Sequence, residues 1–314
     1  MLSDFAFENC IDTIIRGARS SPDFDTEKLL SDINRYNGVD TIIYTTTPEL
    51  AHVSSSAAKA IILNAGKNIV DFVSVDVKRK LEEKLLYQYR IGITGGIGVG
   101  KSYIAQQLSK FCQSALDVHT IDFDSIGHYI LEKAREPIHR EVRELICSLL
   151  KIEQDTPGDF IDIEELRDKI FSNENRYNDI TEYNRSMFDT AMFEPSMHEV
   201  RKLLLEYKGS EHRKSLVLIT GALLGDLEDY SLFNNNLILV SAPEDTVLKR
   251  LKERGYSDQV IKDRLEAQLC FENVERSAKK FIDTDKSGHL WKIDNSDGAS
   301  SYKFMDIMNA LRIA

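Results

Sequence analysis

Apolar and polar positions follow two different periods along the chain, and the two periods alternate. Short runs of apolar, mostly β-branched residues predict strands, whereas longer stretches with apolar residues three to four positions apart predict amphipathic helices. The predicted strands are residues 12–15, 41–44, 89–94, 119–122, 215–220, 237–241 and 290–293. The predicted helices are residues 26–34, 57–65, 75–86, 101–111, 245–254 and 258–270. Such an alternation predicts an α/β fold in which helices cover a parallel sheet.

Two domains are predicted from the length and from one abrupt change of pattern. At roughly 150 residues per domain, 314 residues suffice for two. The charged helix 75–86 leads directly into an apolar strand, so the boundary is expected near Leu86, with domains at 1–86 and 87–314. Residues about 150–214 are rich in Glu, Asn, Arg and Tyr and have weak strand patterns, which suggests a helical insertion.

The charge balance narrows the classes of partner. The chain has 40 Lys and Arg residues against 51 Asp and Glu, a net charge of −11 that repels nucleic-acid phosphates and anionic lipids. Neither nucleic acid nor a membrane is expected as a partner, and a soluble cytoplasmic protein is predicted. The four cysteines lie far apart, which predicts small buried apolar side chains rather than a zinc or disulfide framework: Cys10, Cys112, Cys147 and Cys270.

A phosphate-binding loop follows the strand 89–94. Residues 95–102 are Gly-Gly-Ile-Gly-Val-Gly-Lys-Ser, which matches G-x-x-x-x-G-K-[ST] between a strand and a helix. Glycines let backbone N–H groups converge on phosphate oxygens, and the following helix adds the partial positive charge of its N-terminus. The motif predicts binding of a nucleoside triphosphate and Mg²⁺, with Lys101 at the β- and γ-phosphates and Ser102 on the metal. The predicted nucleotide-binding residues of the loop are Gly95, Gly96, Ile97, Gly98, Val99, Gly100, Lys101 and Ser102.

Two carboxylates end the next predicted strand, at Asp122 and Asp124. Ligands of open α/β sheets bind at the carboxyl ends of the strands, so Asp124 is a candidate general base or orienting group for an acceptor hydroxyl. Because Asp is also favoured at helix N-caps, Asp124 has a second interpretation as the cap of a helix that begins at Ser125. The residue types alone leave both interpretations open.

From about residue 89 to the C-terminus the chain resembles the dephospho-coenzyme A kinase family. The resemblance is carried by residues 93–102, 120–124, 247–268 and 293–295. It implies a P-loop NTPase-type parallel sheet with a helical insertion and a lid at about 245–270. It also implies ATP-dependent phosphorylation of the 3′-hydroxyl of dephospho-coenzyme A, the last step of coenzyme A biosynthesis.

The resemblance implies roles for individual residues. Lys101, Asp124 and Arg250 would be catalytic, and Arg250 and Arg254 would approach the ATP phosphates from the lid. Asn295 would lie near the adenine. Simpler interpretations remain for the last three, because arginines four residues apart also occur on solvated helix faces, and Asn is common in turns.

Three departures from the family pattern fall in the acceptor-binding part. Ile163 stands where Arg is typical, Arg185-Ser186 where His-Pro is usual, and Ala222 where Pro is usual. Arg264 and Gln268, by contrast, fit the family's Arg-x-x-x-Gln. The departures keep open a second hypothesis, a P-loop kinase of another small-molecule acceptor.

The N-terminal part resembles the second half of bacterial phosphopantetheine adenylyltransferase, through residues 14–25, 41–44 and 52–59. The resemblance implies a partial Rossmann-like nucleotidyltransferase half-domain at about 1–86. The family's Gly-x-Phe-Asp-Pro and His-x-Gly-His motifs do not occur in the sequence, so this part is predicted to be inactive alone as an adenylyltransferase. It is expected to self-associate, to bind a separate adenylyltransferase half, or to dock on the kinase part of the chain. A third hypothesis for the whole chain is therefore a nucleotide-binding regulatory or scaffold subunit.

Overall fold

The computed structural model describes residues 2–66, 69–166, 179–227, 229–258, 261–262, 271–296 and 301–312. Its residues form two compact units, Met1–Ile61 and Ile62–Ala314. All seven predicted strands are present, and no strand end differs from the predicted one by more than three residues. Five of the predicted helices are confirmed, and the sixth, at 258–270, lies largely outside the described residues.

The first unit is a small α/β arrangement. Its elements are α1 (Leu2–Glu8), β1 (Thr13–Ala18), α2 (Ser21–Tyr36), β2 (Asp40–Thr45) and the beginning of α3 (Ser55–Leu63). The two strands pair in parallel, and α2 packs on them. Alternate strand positions remain in solvent, because Ile15 is 73% exposed, Ile42 56% and Tyr44 66%. One face of this two-stranded sheet is therefore apolar and exposed.

The second unit contains α4 (Val75–Leu85) and a five-stranded sheet of β3 (Gln88–Thr94), β4 (Asp117–Asp122), β5 (Ser215–Thr220), β6 (Asn236–Ser241) and β7 (His289–Asp294). Its other described helices are α5 (Lys101–Cys112), α6 (Phe123–Glu132), α7 (Pro137–Leu150), α8 (Asp179–Glu206), α9 (Glu244–Glu253), α10 (Phe271–Asp285) and α11 (Ser301–Ala310). All strand pairs are parallel, in the order β4-β5-β3-β6-β7. This order places β3, which leads into the phosphate-binding loop, in the middle of the sheet.

Side-chain alternation along the central strands builds a separate core on each face of the sheet. On β5, Val217 and Ile219 face one core, whereas Leu216 and Leu218 face the other. The first core contains residues of α6, α7 and α8, and the second contains residues of α5, α9 and α11. Both faces are thus covered by helices, which explains why the central strands are continuous apolar runs.

The unit boundary differs from the predicted one near Leu86, because α4 belongs to the second unit. Glu82 of α4 is buried, with one carboxylate oxygen 2.7 Å from both Lys78 Nζ and Arg90 Nη1. Lys78 also donates a hydrogen bond to Oδ1 of Asn234, which in turn donates to Glu82. Burial lowers the pKa of Lys78 to about 8, against the opposing effect of Glu82, so the ammonium is still protonated at pH 7. The charged face of α4 is therefore part of the interior of the second unit.

Two further findings concern the burial of the cysteines and the question of membrane-spanning helices. Cys112 and Cys147 are buried as predicted, but Cys10 is exposed, because it lies in the turn after the short α1. Within the described part of the chain, no helix has the length and apolar character needed to cross a membrane.

We expect Glu82→Ala to lower the free energy of unfolding by about 3–5 kcal/mol, because Lys78 and Arg90 would be left as buried charges without their carboxylate. Urea denaturation measures the change. Glu83→Ala is the matched control, since Glu83 pairs with Arg79 on a less buried part of the same helix. The control should lose less than about 1 kcal/mol, and equal losses would contradict the interior role of Glu82.

Candidate active site

The loop between β3 and α5 has a backbone that only glycine adopts readily. Gly95, Gly98 and Gly100 have φ angles of +146°, +76° and +96°. A Cβ on Gly95 would lie 2.3 Å from the carbonyl oxygen of Val240, and one on Gly100 would lie 2.2 Å from Nδ2 of Asn295. The loop is therefore pressed against the ends of β6 and β7, where no side chain fits. Gly100 caps α5 without a side-chain hydrogen bond, which leaves the helix N-terminus suited to an anion.

Lys101 begins α5 and turns its ammonium back over the loop. Its Nζ donates hydrogen bonds of 3.0 Å to the carbonyl oxygens of Gly95 and Gly96. Burial lowers the pKa of Lys101, and the charges of Asp124 and Asp122 oppose that effect. The structure thus brings the lysine of the loop and the carboxylates after β4 within electrostatic range of one another.

Asp122, not Asp124, is the N-cap of α6. Its Oδ1 accepts a hydrogen bond of 3.1 Å from the backbone N–H of Asp124, and its Oδ2 accepts one from Ser125 Oγ. The cap interpretation of Asp124 is therefore wrong, because Asp124 lies in the first turn of the helix and its own backbone N–H is bound by the capping side chain of Asp122. The residue types alone could not decide between Asp122 and Asp124, because Asp is favoured as a cap at either position and the choice depends on where the helix begins.

The pKa of Asp124 is raised, first by the protein atoms that crowd its carboxyl and then by the charge of Asp122. Lys101 and His128, one helical turn further along α6, act in the opposite direction. An open depression runs along this side of α6 from Asp124 to Lys133. His128 lines it as well, and the sequence analysis did not single out that residue.

Arg250 of α9 braces the loop. Its guanidinium donates to the carbonyl oxygens of Gly98 (3.3 Å), Val99 (3.1 Å) and Asn295 (2.9 Å). Asn295 is buried after β7, and its Nδ2 donates to the Val99 carbonyl at 2.8 Å. Its Oδ1 is buried with no hydrogen-bond partner among the described residues. The interpretation of Arg250 as a solvated residue is therefore wrong, and the side chain of Asn295 supports the glycine loop.

For the remaining predicted site residues, the structure shows no hydrogen bond to the glycine loop among the described residues. Ser102 is exposed in the first turn of α5, and the exposed Arg254 ends α9, near enough to Lys101 to lower its pKa. Ile163 packs against the first core, Ser186 is exposed on α8 and Ala222 follows β5. Arg264, Gln268 and the side chain of Arg185 lie outside the described residues.

Thr94 is a connection that the sequence analysis missed. Its hydroxyl donates to the carbonyl oxygens of Gly221 (3.0 Å) and Ala222 (3.3 Å), and thereby joins the last residue of β3 to the segment after β5. No local pattern marks this contact, because the residues are more than 120 positions apart.

A glycine loop, a lysine and two strand-end carboxylates at the carboxyl edge of a parallel sheet are the phosphate-binding arrangement of a P-loop NTPase-type fold. The model of the family described as "Dephospho-CoA kinase" matches residues 89–289. The chain is 27% identical over 179 residues to the dephospho-CoA kinase of Dehalococcoides mccartyi, covering 57% of this chain and 79% of that protein. It is 27% identical over 198 residues to that of Aquifex aeolicus, covering 63% and 89%. The chain belongs to the dephospho-CoA kinase family and is a phosphotransferase with an alcohol acceptor.

The N-terminal part has its own relatives. Over 61 residues the chain is 41% identical to the phosphopantetheine adenylyltransferase of Porphyromonas gingivalis, which covers 19% of this chain and 39% of that protein. The similarity to the adenylyltransferase is thus partial, as the sequence analysis predicted.

We expect Arg250→Met to destabilise the nucleotide-free protein by about 1–3 kcal/mol, because three carbonyl oxygens lose a charged donor. Arg254→Met serves as the control, since Arg254 is exposed at the end of the same helix. The measurement is urea unfolding of both variants without ATP. Equal stability of the two variants would contradict the bracing contact.

Proposed function

We propose that the second unit transfers the terminal phosphoryl group of ATP to the 3′-hydroxyl of dephospho-coenzyme A. The observation that carries this proposal is the position of Lys101, whose ammonium is bound to carbonyl oxygens of the glycine loop and lies within electrostatic range of Asp122 and Asp124. Phosphoryl transfer needs positioning and charge stabilisation more than covalent chemistry from the protein, and this arrangement can supply both.

ATP fits the geometry of the loop. The backbone N–H groups of residues 95–100 and the N-terminus of α5 would hold the phosphates, and Lys101 would exchange its two carbonyl acceptors for phosphate oxygens. The buried Oδ1 of Asn295 is an acceptor that a buried donor such as the adenine amine would satisfy. Arg250 would hold the loop in shape, and Arg254 would approach the phosphates from the lid.

Ser102 is the residue proposed to hold Mg²⁺. Its exposed hydroxyl follows Lys101 at the end of the loop, a hard oxygen donor of the kind that Mg²⁺ prefers. The ion supplies neutralisation of the charge on the β- and γ-phosphate oxygens.

Asp124 is proposed to act on the acceptor hydroxyl. Its carboxyl is free of the capping role, lies within electrostatic range of Lys101, and borders the depression along α6. As a base it would accept the hydroxyl proton while the oxygen attacks in line with the leaving ADP.

The cytoplasmic location of the protein stays a prediction.

In the direct experiment the purified protein is incubated with ATP and dephospho-coenzyme A, with and without Mg²⁺, and the mass of the product is measured by mass spectrometry. We expect a gain of one phosphate that depends on Mg²⁺. Lys101→Ala should lower turnover by at least roughly 10²–10³-fold, because charge stabilisation is lost, and should leave the circular dichroism spectrum unchanged.

ATP binding without gain of a phosphate on dephospho-coenzyme A would favour another acceptor. A panel of nucleoside acceptors would then identify that acceptor. The positions that depart from the family pattern in this part are Ile163, Arg185, Ser186 and Ala222.

We expect Asp124→Asn to lower kcat by roughly 10²–10⁴-fold with a small change in the KM of ATP. Unchanged kcat would exclude a catalytic Asp124.

The pH profile gives an independent check on Asp124. The active form is the carboxylate, so kcat falls as the pH falls through its raised pKa. Because the charge of Asp122 contributes to that raised pKa, Asp122→Asn should move the acid limb of kcat to lower pH. Asn still caps α6 well, so the fold should be kept. An acid limb that stays in place would contradict the assignment of this limb to Asp124.

For the N-terminal unit we propose that its exposed sheet face binds a further α/β surface, either of a second copy or of a separate adenylyltransferase half. Ile15, Ile42 and Tyr44 are the apolar residues that such a surface would cover. Within the unit, Arg16 is paired with Glu27 (2.6 Å), and Ser54 Oγ accepts from the N–H of Ala57 as the cap of α3. The unit alone is proposed to lack adenylyltransferase activity.

We expect Ile42→Asp to abolish association through this face, because a carboxylate would have to be desolvated. Light scattering during size-exclusion chromatography, over a concentration series and with an added first half of a phosphopantetheine adenylyltransferase, measures it. Lys59→Asp on α3 is the control. The proposal would be contradicted if the protein is monomeric at every concentration and does not bind the added adenylyltransferase half.

A further inference from the structure

A cluster of histidines and glutamates joins α7 to α8, two helices that do not contribute to the glycine loop. Glu136 is the N-cap of α7 and His139 lies one turn further, while His198 and Glu199 are neighbours on α8. Glu136, His198 and Glu199 each offer a ligand atom, and these atoms lie within 4.8 Å of one another. Nε2 of His198 is 2.9 Å from Oε2 of Glu136.

His139 is buried in this cluster without a hydrogen-bond partner. The residue is 1% exposed, and neither ring nitrogen forms a hydrogen bond with the described residues. Its Nε2 nevertheless lies 3.2 Å from Oε1 of Glu199. Burial lowers the pKa of His139, and the charges of Glu199 and Glu136 oppose that effect. A buried imidazole whose nitrogens form no hydrogen bond has a lone pair available to a metal ion.

A cation already occupies the space between the carboxylates. Nζ of Lys202 lies 2.6 Å from Oε1 of Glu136 and 3.0 Å from Oε1 of Glu199. Hydrogen bonds from Lys202 and His198 lower the pKa of Glu136 to about 2, so its carboxylate is charged at any physiological pH. The side chain of Lys202 is 47% exposed and can move into solvent when a stronger cation replaces it.

We propose that Glu136, His139, His198 and Glu199 form a binding site for a divalent transition metal of the zinc class, which displaces the ammonium of Lys202. Two imidazoles and two carboxylates are a mixed nitrogen and oxygen donor set, which suits Zn²⁺, Co²⁺ or Ni²⁺ better than Mg²⁺. The metal would satisfy the nitrogen of His139 and tie the N-terminus of α7 to the middle of α8. It would thereby stabilise the helical region after β4 without touching the nucleotide site.

The test uses the full chain with Cys10→Ser, which removes an exposed thiol ligand, after dialysis against a chelator and without nucleotide. Co²⁺ is titrated while its visible absorption is followed, and Zn²⁺ affinity is measured by competition with a chromophoric chelator. We expect one equivalent to bind, a rise in Tm with bound metal, and no displacement of Co²⁺ by millimolar Mg²⁺.

Three variants separate this site from adventitious binding. His198→Ala removes a partly exposed ligand and should weaken Co²⁺ and Zn²⁺ binding at least about tenfold. Lys202→Met removes the competing ammonium and should tighten binding. His212→Ala, an exposed histidine in the turn before β5, should change nothing. Binding that is unaffected by His198→Ala, weakened by Lys202→Met, or absent from the parent chain would overturn the proposal.

Discussion

The close approach of the glycine loop to the ends of β6 and β7 is the constraint on which the site depends. Gly95 and Gly100 pass so near to Val240 and Asn295 that a Cβ at either position would overlap them. This contact depends on the strand order, in which β3 pairs with β6 and β6 pairs with β7. The topology therefore determines where the phosphates bind, and α5 begins at that point with its N-terminus directed toward them.

The polar groups at the two ends of β3 have different partners. At the carboxyl end, backbone groups and Lys101 are arranged for an anionic substrate. At the amino end, Gln88 donates to the carbonyl oxygens of Leu204 and Tyr207, and Arg90 is buried against Glu82 of α4. A buried charge is tolerated only with its partners in place, so α4 is bound to the kinase unit by the same strand that forms the phosphate site. This is why the helix before β3 cannot be assigned to the N-terminal unit.

The two units are similar to two different enzymes, the N-terminal unit to phosphopantetheine adenylyltransferase and the second unit to dephospho-CoA kinase. The first unit spans only 39% of its adenylyltransferase relative and presents an apolar sheet face to solvent. The kinase part, in contrast, covers most of the length of its relatives and has both faces of its sheet filled. The second unit therefore has the covered sheet of its relatives and is proposed to be active, whereas the N-terminal unit has an uncovered sheet face and is proposed to be inactive alone.

The sequence by itself determined the strands, the glycine loop and the kinase family, because these depend on local periodicity and on residues that are neighbours in the chain. It also placed Asp124 at a strand end, but it left its role divided between cap and catalyst. Only the tertiary structure decided that Asp122 caps α6, that Arg250 and Asn295 support the loop, and that Glu82 lies inside the kinase unit. These contacts join residues about 8 to more than 190 positions apart, except for the cap itself, which depends on where the helix begins. Such distances leave no periodic pattern, since the packing of the whole sheet selects which distant side chains meet.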